Sequence, residues 1–411
     1  MTPPVMAPGG GSAGWLNMGR DRRKGYGAKD ETVDLLDGGR GGGFGACGRA
    51  EGGFLCRAVQ DRRGFSITGS SSFLGDPEKK SLEMAVEEIN AQGGIDGRPV
   101  EAVIYDTEGD PTKAVLAVNK LISKDNVLAI IGPSLTPTTL AVIPIVERVQ
   151  VPLISCAAGI QIVEPVKPYV FKTAQSDVLA VAAIYKHMQK HGIKKIGILT
   201  VTNAFGVSGR DQLVKQAPDY GIQIVKEEAY GAGDTDMTAQ LTKIKGENPD
   251  AVVCWGTNPG PAVVAKNMRQ LGFSVPLYQS HGVASPKFIE LAGEAAEGIR
   301  LPTGKILVAD LLPDTDPQKA VLKKYIADFN QRYGGGVSGF GGYAYDAMHI
   351  LAKAMKGTGG DKAKIRDNLE KIANHVGISG IFTMTPQDHN GLGPEAFVMV
   401  EIRNGTWKLL D

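Results

Sequence analysis

Alternating strand and helix patterns from Phe65 onward predict an α/β fold: two parallel sheets, each covered by helices on both faces. Three observations carry this expectation. Apolar strand-type segments such as residues 127–131 and 251–255 alternate with amphipathic helical segments, the pattern of βαβ units. The rhythm restarts after Asp177, which gives two sets of such units. At 411 residues the chain is also too long for one ordinary core and fits two domains. Right-handed connections between parallel strands leave few topologies besides doubly wound sheets.

The elements follow in order. Residues 77–92 place Leu82, Val86 and Ile89 on one helical face and stop at Gly93-Gly94. A strand over 100–105 follows, and Asp110-Pro111 then form a cap and first-turn pair for a helix carrying Val115, Val118 and Ile122. Strand 127–131, a loop opened by Gly132, helix 137–147 and strand 152–155 complete the first set. The second set reads helix 177–191, strand 195–200, a helix after Phe205, strand 222–229, helix 237–245, strand 251–255, a helix ending at Gly272 and strand 276–279. Asn404-Gly405 joins a final pair of strands, a strong hairpin signal. The segments 128–137 and 252–261 share a faint pattern of strand, glycine, polar loop and proline-led helix, which suggests a duplication.

Residues 1–64 differ from all of this. Their Gly and Arg clusters carry no period and cannot supply a core, and they lack the apolar centre of a signal peptide. They read as a disordered tail or as the product of a mis-assigned start, and a first strand limited to residues 65–68 is expected. A GxGxxG string at Gly43, Gly45 and Gly48 has no strand before it and so no meaning as a dinucleotide site. Of the four cysteines, Cys47 and Cys56 fall in this region. Cys156 and Cys254 lie at predicted strand ends and are expected to be buried thiols, because cysteine packs as a small hydrophobe.

Composition excludes several classes. A net charge of +1, with no basic stripe interleaved with aromatics, removes the electrostatic basis of nucleic-acid binding. No apolar run is long enough to span a bilayer. GxSxG, GxxxxGK[ST] and HExxH are all missing, so no catalytic residue, metal site or cofactor is assigned. His187 and His191 stand four apart on a helix, but the surrounding lysines read as charges complementing a helix C-terminus rather than as a metal site.

Open parallel sheets bind ligands at the carboxyl ends of their strands. In the first lobe this directs attention to residues 134–139 and 156–159. There Thr136, Thr138 and Thr139 sit at a helix start whose N–H groups and dipole favour an anion such as a carboxylate; plain helix capping is the alternative role. In the second lobe the same rule points to residues 203–205, Thr257-Asn258 and Ser280-His281.

Several motifs in order then carry a family resemblance. The run 89–97 (INAQGGIDG), Tyr105-Asp106-Thr107 with Asp110-Pro111, Ile131-Gly132-Pro133, Phe171-Lys172-Thr173 with Asp177, Asp234-Thr235-Asp236 and residues 343–346 resemble type I periplasmic binding proteins of the branched-chain amino acid (Leu/Ile/Val-binding) kind. The resemblance covers residues 65–411. It implies two flavodoxin-like lobes with parallel sheets, joined by three crossover strands: 65–176 with 303–387, and 177–302 with 388–411. It also implies a monomer that closes on a small-molecule ligand in the periplasm and delivers it to membrane permease subunits of an ABC importer. By position in the family motifs, Thr136 and the Ala157, Ala158 and Gly159 stretch would hold a ligand carboxylate, with Gly159 replacing a hydroxyl residue. Phe205 and Thr257 fall on aromatic positions of the facing lobe. His281 falls where the family places the acid that takes the ligand ammonium.

Loss of that acid points to an organic acid without an α-amino group, such as an aromatic carboxylate. Phe73, Leu74, Phe205 and Trp255 would supply the apolar slot, with Asn258 beside Thr257. Branched-chain amino acid binding is the alternative, and a ligand-sensing regulator on the same fold is another.

Overall fold

The computed structural model describes residues 59–410, with the backbone alone for 59–63. The calls on residues 1–58, including Cys47, Cys56 and the GxGxxG string, lie outside the described residues. The first set of elements is β1 (Val59–Phe65), α1 (Ser72–Ala91), β2 (Val100–Asp106), α2 (Pro111–Ser123), β3 (Ile130–Ile131), α3 (Thr136–Val149), β4 (Leu153–Ser155) and β5 (Val170–Lys172). β1 pairs in parallel with β2, Val59 opposite Val100 and Phe65 opposite Asp106. β3, β4 and β5 form a second parallel ladder. The two ladders abut where β1 meets β3. The Ser66 N–H donates to Ser134 Oγ at 3.2 Å, and a Cβ on Gly132 would stand 2.7 Å from the Gly64 carbonyl oxygen. With φ at +95° as well, position 132 accepts only glycine. The resulting order, 2-1-3-4-5, is the flavodoxin-like one.

The chain then crosses to α4 (Asp177–Lys190), β6 (Lys195–Val201), α5 (Ala204–Gln216), β7 (Gln223–Tyr230), α6 (Thr238–Gly246), β8 (Ala251–Trp255), α7 (Gly260–Gln270), β9 (Leu277–Gln279), α8 (Pro286–Ala292) and β10 (Arg300–Thr303). It returns through α9 (Lys319–Tyr333), α10 (Gly339–Met355), α11 (Lys362–Leu369), β11 (His375–Val376) and β12 (Ile381–Phe382), and ends in the hairpin β13 (Val398–Arg403) and β14 (Thr406–Leu409). The second sheet has the order 14-13-10-9-8-6-7. Strands 6 to 10 are parallel, and β13 and β14 add antiparallel edges. Within this sheet, 7-6-8-9-10 repeats the order of the first lobe. Asn404 and Gly405 turn the hairpin with φ of +52° and +67°, as the sequence predicts.

Each lobe has apolar side chains on both sheet faces. In the first, Leu82, Val86, Ile131, Ile154, Phe171, Ala344, Met348 and Leu351 pack on one side, and Val118, Leu121, Val142, Val146 and Val170 on the other. The second lobe is built the same way around Leu199, Val252 and Leu301 on one face and Ile196, Val253 and Trp255 on the other.

The crossing segments are tied to one another. Thr173 Oγ1 donates to the Tyr343 carbonyl at 2.8 Å, and Gln175 Nε2 donates to the Ser379 carbonyl at 2.8 Å. His389 stacks on Phe171 at 4.0 Å, and Leu392 and Ala396 join the first core, whereas Phe397 joins the second.

Two expectations need correction. The first strand is not confined to residues 65–68: β1 starts at Val59. The polar run QDRR in β1 hid it, because parallel strands usually read as apolar runs. Helix α1 likewise begins at Ser72, with Pro77 inside it and not at its start. A proline there removes one intrahelical bond yet leaves the next turn intact, so it marked the wrong boundary.

Candidate ligand-binding site

A narrow cleft, partly open to solvent, lies between the carboxyl ends of the two sheets. Its first-lobe wall comes from Leu74 of α1, from Ser134, Leu135 and Thr136 at the start of α3, from Cys156, Ala157 and Ala158 after β4, and from Phe340 and Tyr343 of α10. Its second-lobe wall is Phe205 at the start of α5, Thr257 after β8, and His281 and Gly282 after β9. Apart from Phe340 and Tyr343 of α10, these groups come from the segments that follow strand ends, as expected for parallel sheets.

The carboxylate-type corner is built around Thr136, the first residue of α3, where first-turn N–H groups have no intrahelical acceptor. Thr136 Oγ1 accepts the Gly159 N–H at 3.2 Å, so its own proton is left to donate elsewhere. Gly159 therefore stands behind Thr136, outside the wall. A Cβ on it would lie 2.5 Å from Thr136 Cγ2, which gives a physical reason for the missing hydroxyl residue. Gly159→Ser should weaken carboxylate binding about tenfold by pushing Thr136 off its rotamer, a shift of ~1.4 kcal/mol readable by titration calorimetry. Unchanged affinity would show that the Thr136 rotamer is immaterial.

Ser134 accepts the Ser66 N–H and donates to the carboxylate of Glu78, a fully buried group of α1. Burial pushes the Glu78 carboxyl well above its ordinary range, and the Ser134 bond only partly offsets this. Tyr343 is raised for the same reason.

His281 is 2 % exposed and sits edge-on to three rings: Phe205 at 5.7 Å, Trp255 at 5.8 Å and Phe397 at 5.3 Å. Neither ring nitrogen has a protein partner among the described residues. Burial, aided by the positive charge of Lys172, lowers its pKa to about 3, so the imidazole is neutral at physiological pH. Among the described residues, no acidic side chain lines the cleft.

The structure brings together Leu74, Thr136, Ala157, Ala158, Phe205, Thr257 and His281 of the residues singled out from sequence. Others stand apart. Phe73 packs edge-on against Phe340 at 5.7 Å and lines a larger outer cleft with Ser285 and Ser338. Trp255 lies beneath Phe205 and His281, and Asn258 is buried outside the wall with its amide unpartnered among the described residues. Phe340 and Gly282 were not singled out, Leu135 entered only within the 134–139 stretch, and Tyr343 only through a motif. Helix α10 is brought in by the second crossing, a long-range placement to which no local pattern points. Cys156 and Cys254 are buried and form no disulfide, as expected.

A fold of two 2-1-3-4-5 lobes with a cleft at their facing strand ends is the architecture the motifs imply, and the family described as periplasmic binding protein matches residues 65–406. The chain belongs to the periplasmic binding protein family. Its resemblance to the Leu/Ile/Val-binding kind is borne out. A leucine-, isoleucine-, valine-, threonine- and alanine-binding protein of Pseudomonas aeruginosa is 26% identical over 306 residues, 74% of this chain and 79% of that one. Among solved structures, an extracellular ligand-binding receptor from Rhodopseudomonas palustris HaA2 is 30% identical with a TM-score of 0.80, covering 86% of this chain and all of that one. A branched-chain amino acid transporter substrate-binding protein, LivJ from Streptococcus pneumoniae in complex with isoleucine, is 27% identical with a TM-score of 0.76, covering 86% and 99%. No described helix of this periplasmic binding protein is long and apolar enough to cross a membrane.

Proposed function

We propose that this protein is the solute-binding subunit of an ABC importer, and that it captures in the periplasm a small apolar carboxylic acid lacking an α-ammonium group. Delivery to a membrane permease pair follows from the family. The observation that carries the ligand reading is the neutral His281, which among the described residues has no hydrogen-bond partner and faces a cleft lined by no acid. Thr136 and the α3 first turn favour the carboxylate. Leu74, Phe205, Phe340 and Tyr343 offer an apolar slot for the rest of the molecule. An aromatic body suits those rings, although the named relatives do not point to one.

The second reading is branched-chain amino acid binding, favoured by the names of the Pseudomonas and Streptococcus relatives. In that case a neutral imidazole nitrogen of His281 would accept the ammonium in place of a carboxylate. Matched pairs separate the two: leucine against isocaproate, and phenylalanine against hydrocinnamate, titrated calorimetrically at pH 7. Without a charged acceptor the ammonium loses ~1.5–3 kcal/mol and still has to be desolvated, so each deaminated acid is expected to bind at least about tenfold more tightly than its amino acid. Tighter binding of leucine than of isocaproate would overturn the ammonium-free reading and establish the second.

A further inference from the structure

Lys172, the last residue of β5, is fully buried at the first crossing between the lobes. Its Nζ donates to the Ala158 carbonyl at 2.8 Å and to the Ala174 carbonyl at 3.0 Å. Among the described residues it makes no ion pair within 4 Å. The charged and titratable groups around it are Asp177 at the start of α4, Glu164 after β4, Asp388 before β13 and His281 across the cleft. Asp177 already accepts the Ile160 and Val178 N–H groups at 3.1 Å each and the Ser208 hydroxyl. Tying two carbonyls together needs only a donor, which a neutral amide could supply. Burying a whole charge without a close counter-ion is costly, unless an anion arrives nearby.

One peptide connects this cation to the cleft. The carbonyl that Lys172 binds and the N–H that Thr136 accepts belong to the same Ala158–Gly159 peptide unit. We propose that Lys172 is a positioning residue that fixes and polarises this peptide, and through it orients the Thr136 hydroxyl as a donor to the ligand carboxylate. The inference rests on the carboxylate-binding reading of Thr136 and holds for acids with or without an ammonium group. The chain runs from ammonium to carbonyl, from amide N–H to Thr136 oxygen, and from Thr136 proton to ligand. Each bond strengthens the next in a low-dielectric site. The bound anion in turn favours the charged form of Lys172, whose pKa burial lowers to about 7. Binding is therefore coupled to proton uptake near neutral pH.

The test uses the full chain with isocaproate and leucine as probes. Lys172→Met should weaken whichever probe binds by about tenfold and Lys172→Arg should restore most of it, because arginine keeps the charge and the donors. Wild-type affinity should fall as pH rises from 6 to 9, with proton uptake seen as a buffer-dependent heat at pH 7.5, and both effects should vanish in Lys172→Arg. Thr136→Val must also weaken binding. If Thr136→Val does so and Lys172→Met binds like wild type, the relay is overturned while the site reading stands. If Thr136→Val is silent, or neither probe binds, both fall. Should Lys172→Met not fold, wild-type binding without pH dependence or proton uptake overturns the relay.

Discussion

Replacing His281 with glutamate is expected to convert the cleft to α-amino acid binding, with leucine gaining about ten- to over a hundredfold in affinity relative to isocaproate. A charge-assisted bond to an ammonium contributes ~1.5–3 kcal/mol, which is that range. The acid would enter a box of three rings, Phe205, Trp255 and Phe397, where an empty site leaves it unpaired. Two consequences follow together. The ligand-free variant should be less stable than wild type, and leucine should restore stability by more than mass action on the wild type does. Thermal unfolding with and without leucine and isocaproate reads both. If leucine gains nothing over isocaproate, His281 is not where an ammonium would sit, and the argument from the missing acid collapses.

The legibility of this site in sequence varied with the range of the interaction that makes each part. Thr136, Ala157, Phe205, Thr257 and His281 could be found because each lies two to five residues beyond a strand end, and strand ends are visible as apolar runs. Asp110 and Asn404 were readable for a similar reason, since a cap or a turn is decided within a few residues. Lys172 was visible only as a letter in a motif. Its role depends on the Ala158 and Ala174 carbonyls and on the absence of a close counter-ion, none of which a local pattern encodes. Phe340 and Tyr343 come from α10, which packs across α1 from the far end of the chain. β1 was hidden because backbone pairing with β2, not an apolar period, makes it a strand.

The motif residue Asp346 gives the second large effect. Its carboxylate accepts the N–H groups of Ile378 and Ser379 at 2.7 Å each, fixing the segment whose Ser379 carbonyl binds Gln175 at the first crossing. Asp346→Ala strands two buried N–H groups at ~1–3 kcal/mol each, so about 2–6 kcal/mol of stability should be lost at pH 7, measurable by urea unfolding. Asp346→Asn can satisfy only one of the two and should lie between. Burial raises the Asp346 pKa to about 6 despite the two N–H bonds. The folded state therefore holds this proton more tightly than the unfolded chain. The resulting stabilisation is full below about pH 4 and is lost as pH rises through 6. The stability gap between wild type and Asp346→Asn should accordingly widen in favour of wild type on acidification from pH 6 to 4. A loss under 1 kcal/mol in Asp346→Ala would mean that the 377–379 turn is held by its other contacts, with Gln318 Nε2 bonding the Gly377 carbonyl at 2.9 Å the first to examine.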